Sequence, residues 1–198
     1  MIDNRIMASL PIPRITEEEY LRLERAAEYK SEFVYGEIFA MSGGLLPHNV
    51  LAARWILELG LKLRGRDCLV MTSDQKVRTP SSGSYVYPDV SVVCGQPRMH
   101  QSAGDILTNP IVVIEVLSPS TESYDRGKKF ELYREIASLQ DYILVHTGAV
   151  HVEHFSRKPG SWLLNEYHGA KSSVTIASID CTVLLGEVYD RIPGLPVE

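Results

Sequence analysis

Residues 111–117 read Ile111-Val112-Val113-Ile114-Glu115-Val116-Leu117, a β-branched run in which one carboxylate stands among apolar side chains. Such near-continuous apolarity is typical of a strand that is covered on both faces. A carboxylate buried there would cost several kcal/mol unless it meets a positive group or a metal ion. Glu115 therefore indicates either a structural salt bridge, with Lys129 or Arg126 as partner, or a metal site.

A second carboxylate opens another apolar strand, Pro88-Asp89-Val90-Ser91-Val92-Val93. Proline cannot donate to a sheet ladder, so Pro88 fits the first residue of a strand and leaves Asp89 at its mouth, open to solvent and metal. Asp and Pro are also ordinary turn residues, so the dipeptide alone equally fits a turn acid that starts a strand.

A lysine follows Glu115 after a loop, Ser118-Pro119-Ser120, and about two turns of a helix predicted over 122–137. This helix can return the Lys129 ammonium to Glu115, and Tyr133 lies one turn further along the same face. Lys128 would point about 100° away, toward solvent. Two acids and a lysine at the end of a sheet are the minimum set for metal-assisted phosphodiester hydrolysis.

The rest of the chain alternates between helical and strand patterns. Thr16 caps a first helix, Tyr35-Gly36 forms a hairpin turn, and residues 48–63 form a helix of about four turns. Further strands are predicted at 68–71, 76–78, 89–94, 141–146, 150–155, 162–167 and 174–176. This order predicts an α/β fold in which a mixed central β-sheet is flanked by α-helices.

Composition fits an ordinary globular protein, with 198 residues, 44% of them hydrophobic and 23% charged. We expect one domain over 1–198, with a core at about 16–190 and terminal arms at 1–15 and 191–198. No apolar run approaches the roughly 18 residues that a membrane span requires, and no secretory segment is evident, so the expected location is the cytoplasm.

The cysteines Cys68, Cys94 and Cys181 are odd in number, far apart and set in apolar surroundings. They predict buried free thiols rather than a disulfide framework or a thiolate metal site.

The formal net charge of -5 does not favour a strong nucleic-acid binder, because phosphate contacts require lysine or arginine. Any attractive field must therefore be local. The candidate basic positions are Arg64, Arg66, Arg126, Lys128, Lys129, Arg134, Arg157 and Lys158. Base contacts would come from loops, for which residues 79–84 and 98–105 are the candidates.

Three histidines, His146, His151 and His154, suggest a zinc site as an alternative. In a strand, however, residues 151 and 154 point to opposite faces, so this trio would require a distorted hairpin.

Several motifs together resemble a known family. They are the stretch from Glu32 to Gly44, His48-Asn49, Tyr87-Pro88-Asp89-Val90, and the stretch from Ile114 to Glu122 followed by Asp125 and Lys129. On these residues, the chain resembles the Uma-type family of restriction-endonuclease-like proteins, a branch of the PD-(D/E)xK nuclease superfamily. The resemblance spans roughly residues 16–190, and its most specific part is Glu-Val-Leu-Ser-Pro-Ser-Thr at 115–121.

The resemblance implies a restriction-endonuclease-like fold in which Asp89 and Glu115 hold a divalent cation, Mg²⁺ or Mn²⁺. Because Mg²⁺ prefers oxygen ligands, the Val116 carbonyl is a further candidate ligand. It makes Glu37 a candidate third acid, with Glu32 as the alternative. The superfamily's usual lysine two positions after the second acid is absent, because Leu117 stands there, and Lys129 looks like its replacement. The remaining candidate binding residues are His48, Tyr133 and Arg126.

The resulting hypothesis is a Mg²⁺-dependent nuclease that hydrolyses phosphodiester bonds of DNA. The alternative is a catalytically inactive nuclease-like domain that binds nucleic acid or a protein partner. A homodimer is expected if two strands are cut, since that requires two centres. The sequence does not reveal base or strand preference.

Overall fold

The computed structural model describes residues 14–100 and 104–195. The predicted arms at 1–15 and 191–198 and the candidate loop at 98–105 lie partly outside these residues. Within them, no helix is both long enough and apolar enough to cross a bilayer.

The helices are α1 (Glu17–Ala26), α2 (Leu46–Lys62), α3 (Glu122–Tyr124), α4 (Phe130–Arg134) and α5 (Leu185–Val188), with a π-helical turn at Asp125–Lys129 and a 3₁₀ turn at Ala177–Ile179. The strands are β1 (Ser31–Val34), β2 (Glu37–Ala40), β3 (Cys68–Thr72), β4 (Lys76–Arg78), β5 (Tyr85–Val86), β6 (Val90–Cys94), β7 (Ile106–Leu107), β8 (Val112–Val116), β9 (Asp141–Val145), β10 (His151–Lys158), β11 (Ser161–His168), β12 (Ser173–Ile176) and β13 (Cys181–Leu184).

A six-stranded sheet in the order β11-β10-β9-β8-β6-β3 carries the core. Strands β8 and β9 run parallel and the other neighbours antiparallel, so the prediction of a mixed sheet is confirmed. The strands are divided among three sheets rather than gathered in one. A five-stranded sheet in the order β2-β1-β5-β4-β7 and a β12-β13 ribbon accompany the main sheet.

Strand β8 is buried along its whole length, as its apolar sequence predicts. Val112, Ile114 and Val116 pack into the core cluster that contains α2, whereas Val113 packs into a cluster with Leu132 of α4. Side chains alternate across a strand, so Glu115 shares the Val113 face and points toward α4. Helices thus flank the sheet on both faces.

The first helix and the first hairpin also follow the sequence closely. The Thr16 hydroxyl accepts a hydrogen bond from Glu19 N at 3.2 Å, which confirms the predicted cap of α1. Tyr35 and Gly36 turn between β1 and β2 with φ of 52° and 89°, the left-handed pair that a two-residue hairpin requires. This hairpin brings β1 and β2 over the end of the main sheet.

The prediction of free thiols is wrong for two of the three cysteines. Cys68 and Cys94 face each other on the antiparallel strands β3 and β6, with Cα atoms 4.0 Å apart, and form a disulfide. The two cysteines are 26 residues apart in sequence, and only the pairing of β3 with β6 places them opposite each other. Cys181 is free and buried, as predicted.

We expect reduction of this disulfide to lower stability by about 3 kcal/mol, the value for closing a loop of this size in the unfolded chain. The measurement is the free energy of unfolding with and without a reductant, and Cys94→Ala should reproduce the reduced protein. Cys181→Ala provides a cysteine control. Equal stability of the oxidised and reduced forms would contradict the expectation.

Candidate active site

A cavity of about 1000 Å³ opens where the β1–β2 hairpin, the start of α2 and the segment after β8 meet. Its wall includes the predicted site residues Glu37, His48, Asp89, Glu115, Val116 and Lys129. Tyr133 and Arg126 do not belong to the wall.

Asp89 and Glu115 meet because β6 and β8 are antiparallel neighbours, with Val90 opposite Ile114. The backbone N–H of Asp89 donates to Glu115 Oε2 at 3.3 Å, and the N–H of Val116 donates to Asp89 Oδ2 at 2.8 Å. These bonds fix both carboxyl groups at one end of the sheet, with Val116 beside them.

The π-helical turn carries Lys129 back to the same place. Its Nζ lies 2.9 Å from Glu115 Oε1 and 3.4 Å from Glu32 Oε1, and donates to the Tyr87 carbonyl at 3.2 Å. Asp125 Oδ1 is 3.7 Å away. The ammonium is buried, and its three N–H donors all face acceptors.

Of the two acids of the first hairpin, Glu32 and not Glu37 contacts Lys129. The buried Glu32 accepts from Tyr87 N and from the Tyr124 hydroxyl, each at 2.9 Å, in addition to its contact with Lys129. Glu37 begins β2, which is exposed along its length, and lies further out on the cavity wall. The available sequence signal for Glu32 was an acid directly before an apolar residue, Phe33, in a predicted strand.

His48 enters from the first turn of α2. Its Nε2 lies 3.2 Å from Asp89 Oδ2, so the imidazole contacts a carboxylate directly. Burial lowers the pKa of His48 less than the hydrogen bond to Asp89 raises it, and the net shift is upward. A raised pKa favours the protonated ring beside Asp89.

Tyr133 supports Glu115 from behind. Its hydroxyl donates to Glu115 Oε1 at 2.9 Å from a fully buried position in α4, so it reaches the acid but not the cavity. The sequence predicted that Tyr133 and Lys129 share a face, and both do contact Glu115.

The centre holds more negative than positive charge. The carboxyl groups of Glu32, Glu115, Asp89 and Asp125 all act on one ammonium, that of Lys129. Burial opposes the charge on Lys129, but these carboxylates raise its pKa well above the usual range. Burial, with Asp89 and Asp125 nearby, raises the pKa of Glu115 in spite of Lys129.

Such an excess of carboxylate oxygens suits a hard divalent cation, which would relieve their mutual repulsion. Asp89, Glu115 and the Val116 carbonyl supply oxygen ligands, the type that Mg²⁺ prefers. Among the described residues, the sets of three possible ligands within 4.8 Å of one another lie elsewhere, at His146-His151-Glu153 and His151-Glu166-His168. The acidic centre therefore offers two carboxylates rather than a complete protein cage.

Arg126 is turned away from the acids and toward the outer strands. Its guanidinium pairs with Glu122 at 2.8 Å and with Glu153 of β10, and it contacts His146 Nε2 at 3.1 Å. Lys128, by contrast, lies on the cavity wall with its Nζ 4.1 Å from the centre of the Tyr35 ring. The Lys128 side chain is 38% exposed, so it points away from the buried Lys129 and toward solvent, as predicted.

Glu153 should make stability depend on pH. Burial raises its pKa, but hydrogen bonds from Arg126 and His146 more than compensate, and the net pKa is lowered from 4.5. A lowered pKa means that the ionised group stabilises the fold above about pH 4.5 and that this is lost as pH falls further. We expect the stability difference between wild type and Glu153→Gln to shrink below pH 4.5, measured by denaturant unfolding from pH 7 to 3. A difference that stays constant would contradict this.

These features define a class of protein: a mixed α/β fold with a carboxylate and lysine centre at the end of its main sheet. The fold of this chain matches a solved structure with a TM-score of 0.72, that of a protein titled a putative nuclease belonging to DUF820 from Anabaena variabilis ATCC 29413. The match covers 88% of this chain and 97% of that one at 17% sequence identity, so it concerns the fold. The predicted restriction-endonuclease-like fold is confirmed.

The sequence model of the Uma2 family, described as "Putative restriction endonuclease", matches residues 17–183, and the chain belongs to this family. Two uncharacterized proteins of Synechocystis sp. (strain ATCC 27184 / PCC 6803 / Kazusa) are similar along most of their length. One is 38% identical over 182 residues, covering 91% of this chain and 94% of its own. The other is 36% identical over 162 residues, covering 81% and 91%.

Proposed function

We propose that this chain is a divalent-metal-dependent nuclease that hydrolyses phosphodiester bonds of DNA at the Asp89–Glu115 centre. The observation that carries the proposal is the meeting of Asp89, Glu115 and Lys129 at the wall of one large cavity. Membership of a family described as "Putative restriction endonuclease" supports the same class of reaction.

Asp89, Glu115 and the Val116 carbonyl are the residues that would hold Mg²⁺ or Mn²⁺. A bound divalent cation supplies two things, a lower pKa for water and neutralisation of the charge that develops on the phosphate. Asp89 Oδ2 accepts bonds from Val116 N and His48, and its Oδ1 is the oxygen that would bind a cation. The hydrogen bonds of Glu115 likewise fix its orientation before any ligand arrives.

Lys129 has a positioning role in this proposal. Its three donors are engaged by Glu115, Glu32 and the Tyr87 carbonyl, so it aligns the acids first. It can donate to a phosphate oxygen or to an attacking water only by releasing one of these acceptors. Glu32, whose Oε1 lies 3.4 Å from Lys129 Nζ, is a candidate to accept a proton, and Glu37 remains a candidate at the cavity wall.

The cavity wall also offers groups for a nucleic-acid chain. Arg14 and Lys128 supply positive charge for phosphates, and Tyr35, over which Lys128 lies, offers a ring face. His48, if protonated, adds a further donor next to Asp89. Local cations of this kind are compatible with a net charge of -5.

Cutting both strands of a duplex would require a second centre, and we propose that a homodimer supplies it. Exposed apolar side chains near the cavity, Phe39 at 48% and Leu45 at 73% exposure, are the surface that such an assembly would cover. Light scattering at several protein concentrations measures the mass, and a monomer at all of them would oppose this part of the proposal.

The experiment is a cleavage assay with labelled single-stranded and double-stranded DNA, with Mg²⁺, with Mn²⁺ and with EDTA. We expect cleavage with either metal and none with EDTA. If no substrate is cut while DNA binding is retained, the chain is instead a nuclease-like binding domain, and the proposal fails.

A further inference from the structure

A row of imidazoles crosses the outer strands, away from the carboxylate centre. His151 at the start of β10 lies opposite His168 at the end of β11, and His146 follows β9. The rings of His146 and His151 stack with centroids 4.0 Å apart, and those of His151 and His168 with centroids 4.1 Å apart. Their ring nitrogens thus gather on one face of the sheet.

Acidic side chains stand next to this row. Glu166 lies two residues before His168 on β11 and therefore shares its face. Glu166 Oε1 is 3.8 Å from His151 Nε2, and Glu166 Oε2 is 3.9 Å from His168 Nε2. One donor atom from each of these three residues lies within 4.8 Å of the others.

Within residues 14–100 and 104–195, the side chains of His151, Glu166 and His168 make no hydrogen bond. His151 Nε2 is buried and has no hydrogen-bond partner in the described part of the chain, a condition that costs about 1–3 kcal/mol if nothing meets it. The distances from Glu166 to the two imidazoles exceed hydrogen-bond length. A group that ligates all three would satisfy the buried nitrogen.

The neighbouring set of His146, His151 and Glu153 is less suitable. His146 Nε2 lies 2.9 Å from Glu153 Oε1 and 3.1 Å from the Arg126 guanidinium. A cation there would have to displace Arg126 or face its positive charge. Both sets contain His151, so one ion can use only one of them. The set of His151, Glu166 and His168 is the better candidate, because its ligand atoms are not already hydrogen-bonded to any residue that the structure describes.

The donor types indicate which ion fits. Imidazole nitrogens suit zinc and its neighbours among the transition metals, whereas Mg²⁺ prefers oxygen. Tetrahedral bonds of 2.0–2.1 Å put ligand atoms about 3.3 Å apart, so each of the two Glu166–imidazole distances needs a shift of roughly half an ångström. The stacked rings of His151 and His168 must also turn so that a nitrogen of each faces the same ion. Glu166 and His168 are exposed and free to make them.

We propose that His151, Glu166 and His168 bind a divalent transition-metal ion of the zinc type, at a site separate from the Asp89–Glu115 centre. The ion bridges β10 and β11 and leaves a fourth position for water or another ligand. Because β11 is the edge of the main sheet and pairs with β10 alone, the bridge fastens the outermost hairpin.

The test is a zinc titration of the full chain with any histidine tag removed, by calorimetry or by competition with a chromogenic chelator. Excess Mg²⁺ is present to occupy the carboxylate centre. We expect one zinc site in the wild type, and His168→Asn and Glu166→Gln each to weaken binding by more than about tenfold. Both side chains are exposed, so neither change should prevent folding.

Matched controls separate this site from general effects. Glu187→Gln removes an exposed glutamate outside the set, and His100→Asn removes a histidine elsewhere, and both should bind zinc like the wild type. Replacement of zinc by Co²⁺ should give visible absorption bands that disappear in His168→Asn. Unchanged zinc affinity in His168→Asn and Glu166→Gln would overturn the proposal, and so would loss of zinc binding in Glu115→Gln alone.

Discussion

Asp89→Asn and Glu115→Gln will each reduce metal-dependent DNA cleavage by at least about 100-fold. Each change replaces a carboxylate by an amide of similar shape, so it removes a charged oxygen ligand and little volume. Glu115→Gln also relieves repulsion among buried acids, and we expect its metal-free stability to equal or exceed that of the wild type. Initial cleavage rates at saturating Mg²⁺ measure the first effect.

The control for this prediction is Glu187→Gln, a change of the same type outside the cavity. Glu32→Gln and Glu37→Gln should be measured beside it, because the geometry predicts a larger loss for Glu32 than for Glu37. Cleavage at wild-type rates by both Asp89→Asn and Glu115→Gln would place the activity at another site.

Lys129→Met should lower the free energy of unfolding by about 3–5 kcal/mol in EDTA. The change leaves buried carboxylates without the ammonium that faces them, which is the costly way to break a buried ion pair. Added Mg²⁺ or Mn²⁺ should restore part of the loss, since a cation that binds only the folded chain stabilises it by mass action. Denaturant unfolding with and without metal measures both effects.

Lys128→Met is the matched control, because this neighbouring lysine is partly exposed and its replacement should change stability by no more than about 0.5 kcal/mol. If Lys129→Met were as stable as Lys128→Met without metal, the carboxylates would not depend on Lys129, and the charge argument for a cation would fail.

Much of the architecture was predictable because local signals agreed with tertiary packing. The Thr16 cap, the Tyr35-Gly36 turn and the β-branched run of β8 each specify one conformation with little alternative. The two-residue strands β5 and β7 were not predictable, since they are defined by pairing with distant strands, β5 with β1 and β4, and β7 with β4. The π-helical turn at 125–129 also lacks a local signature.

The residues of the candidate site could be predicted more readily than the contacts between them. Asp89 and Glu115 can be recognised because they stand in apolar strand sequences. The approach of Lys129 to Glu115 follows from the number of helical residues between them. Glu32 was harder to place, because it contacts Tyr87 and Lys129 only after the β1–β2 hairpin packs against them in the tertiary structure. The same limit applies to Cys68–Cys94 and to His168, whose partners are set by strand register.

The most direct measurement is a crystal structure of the Mn²⁺-soaked protein with anomalous diffraction data. The proposed metal centre predicts an anomalous peak within coordination distance of carboxylate oxygens from both Asp89 and Glu115, with Lys129 still beside Glu115. It would be contradicted if, at saturating Mn²⁺, no peak lay between the two carboxylates or the metal bound only at the outer histidines.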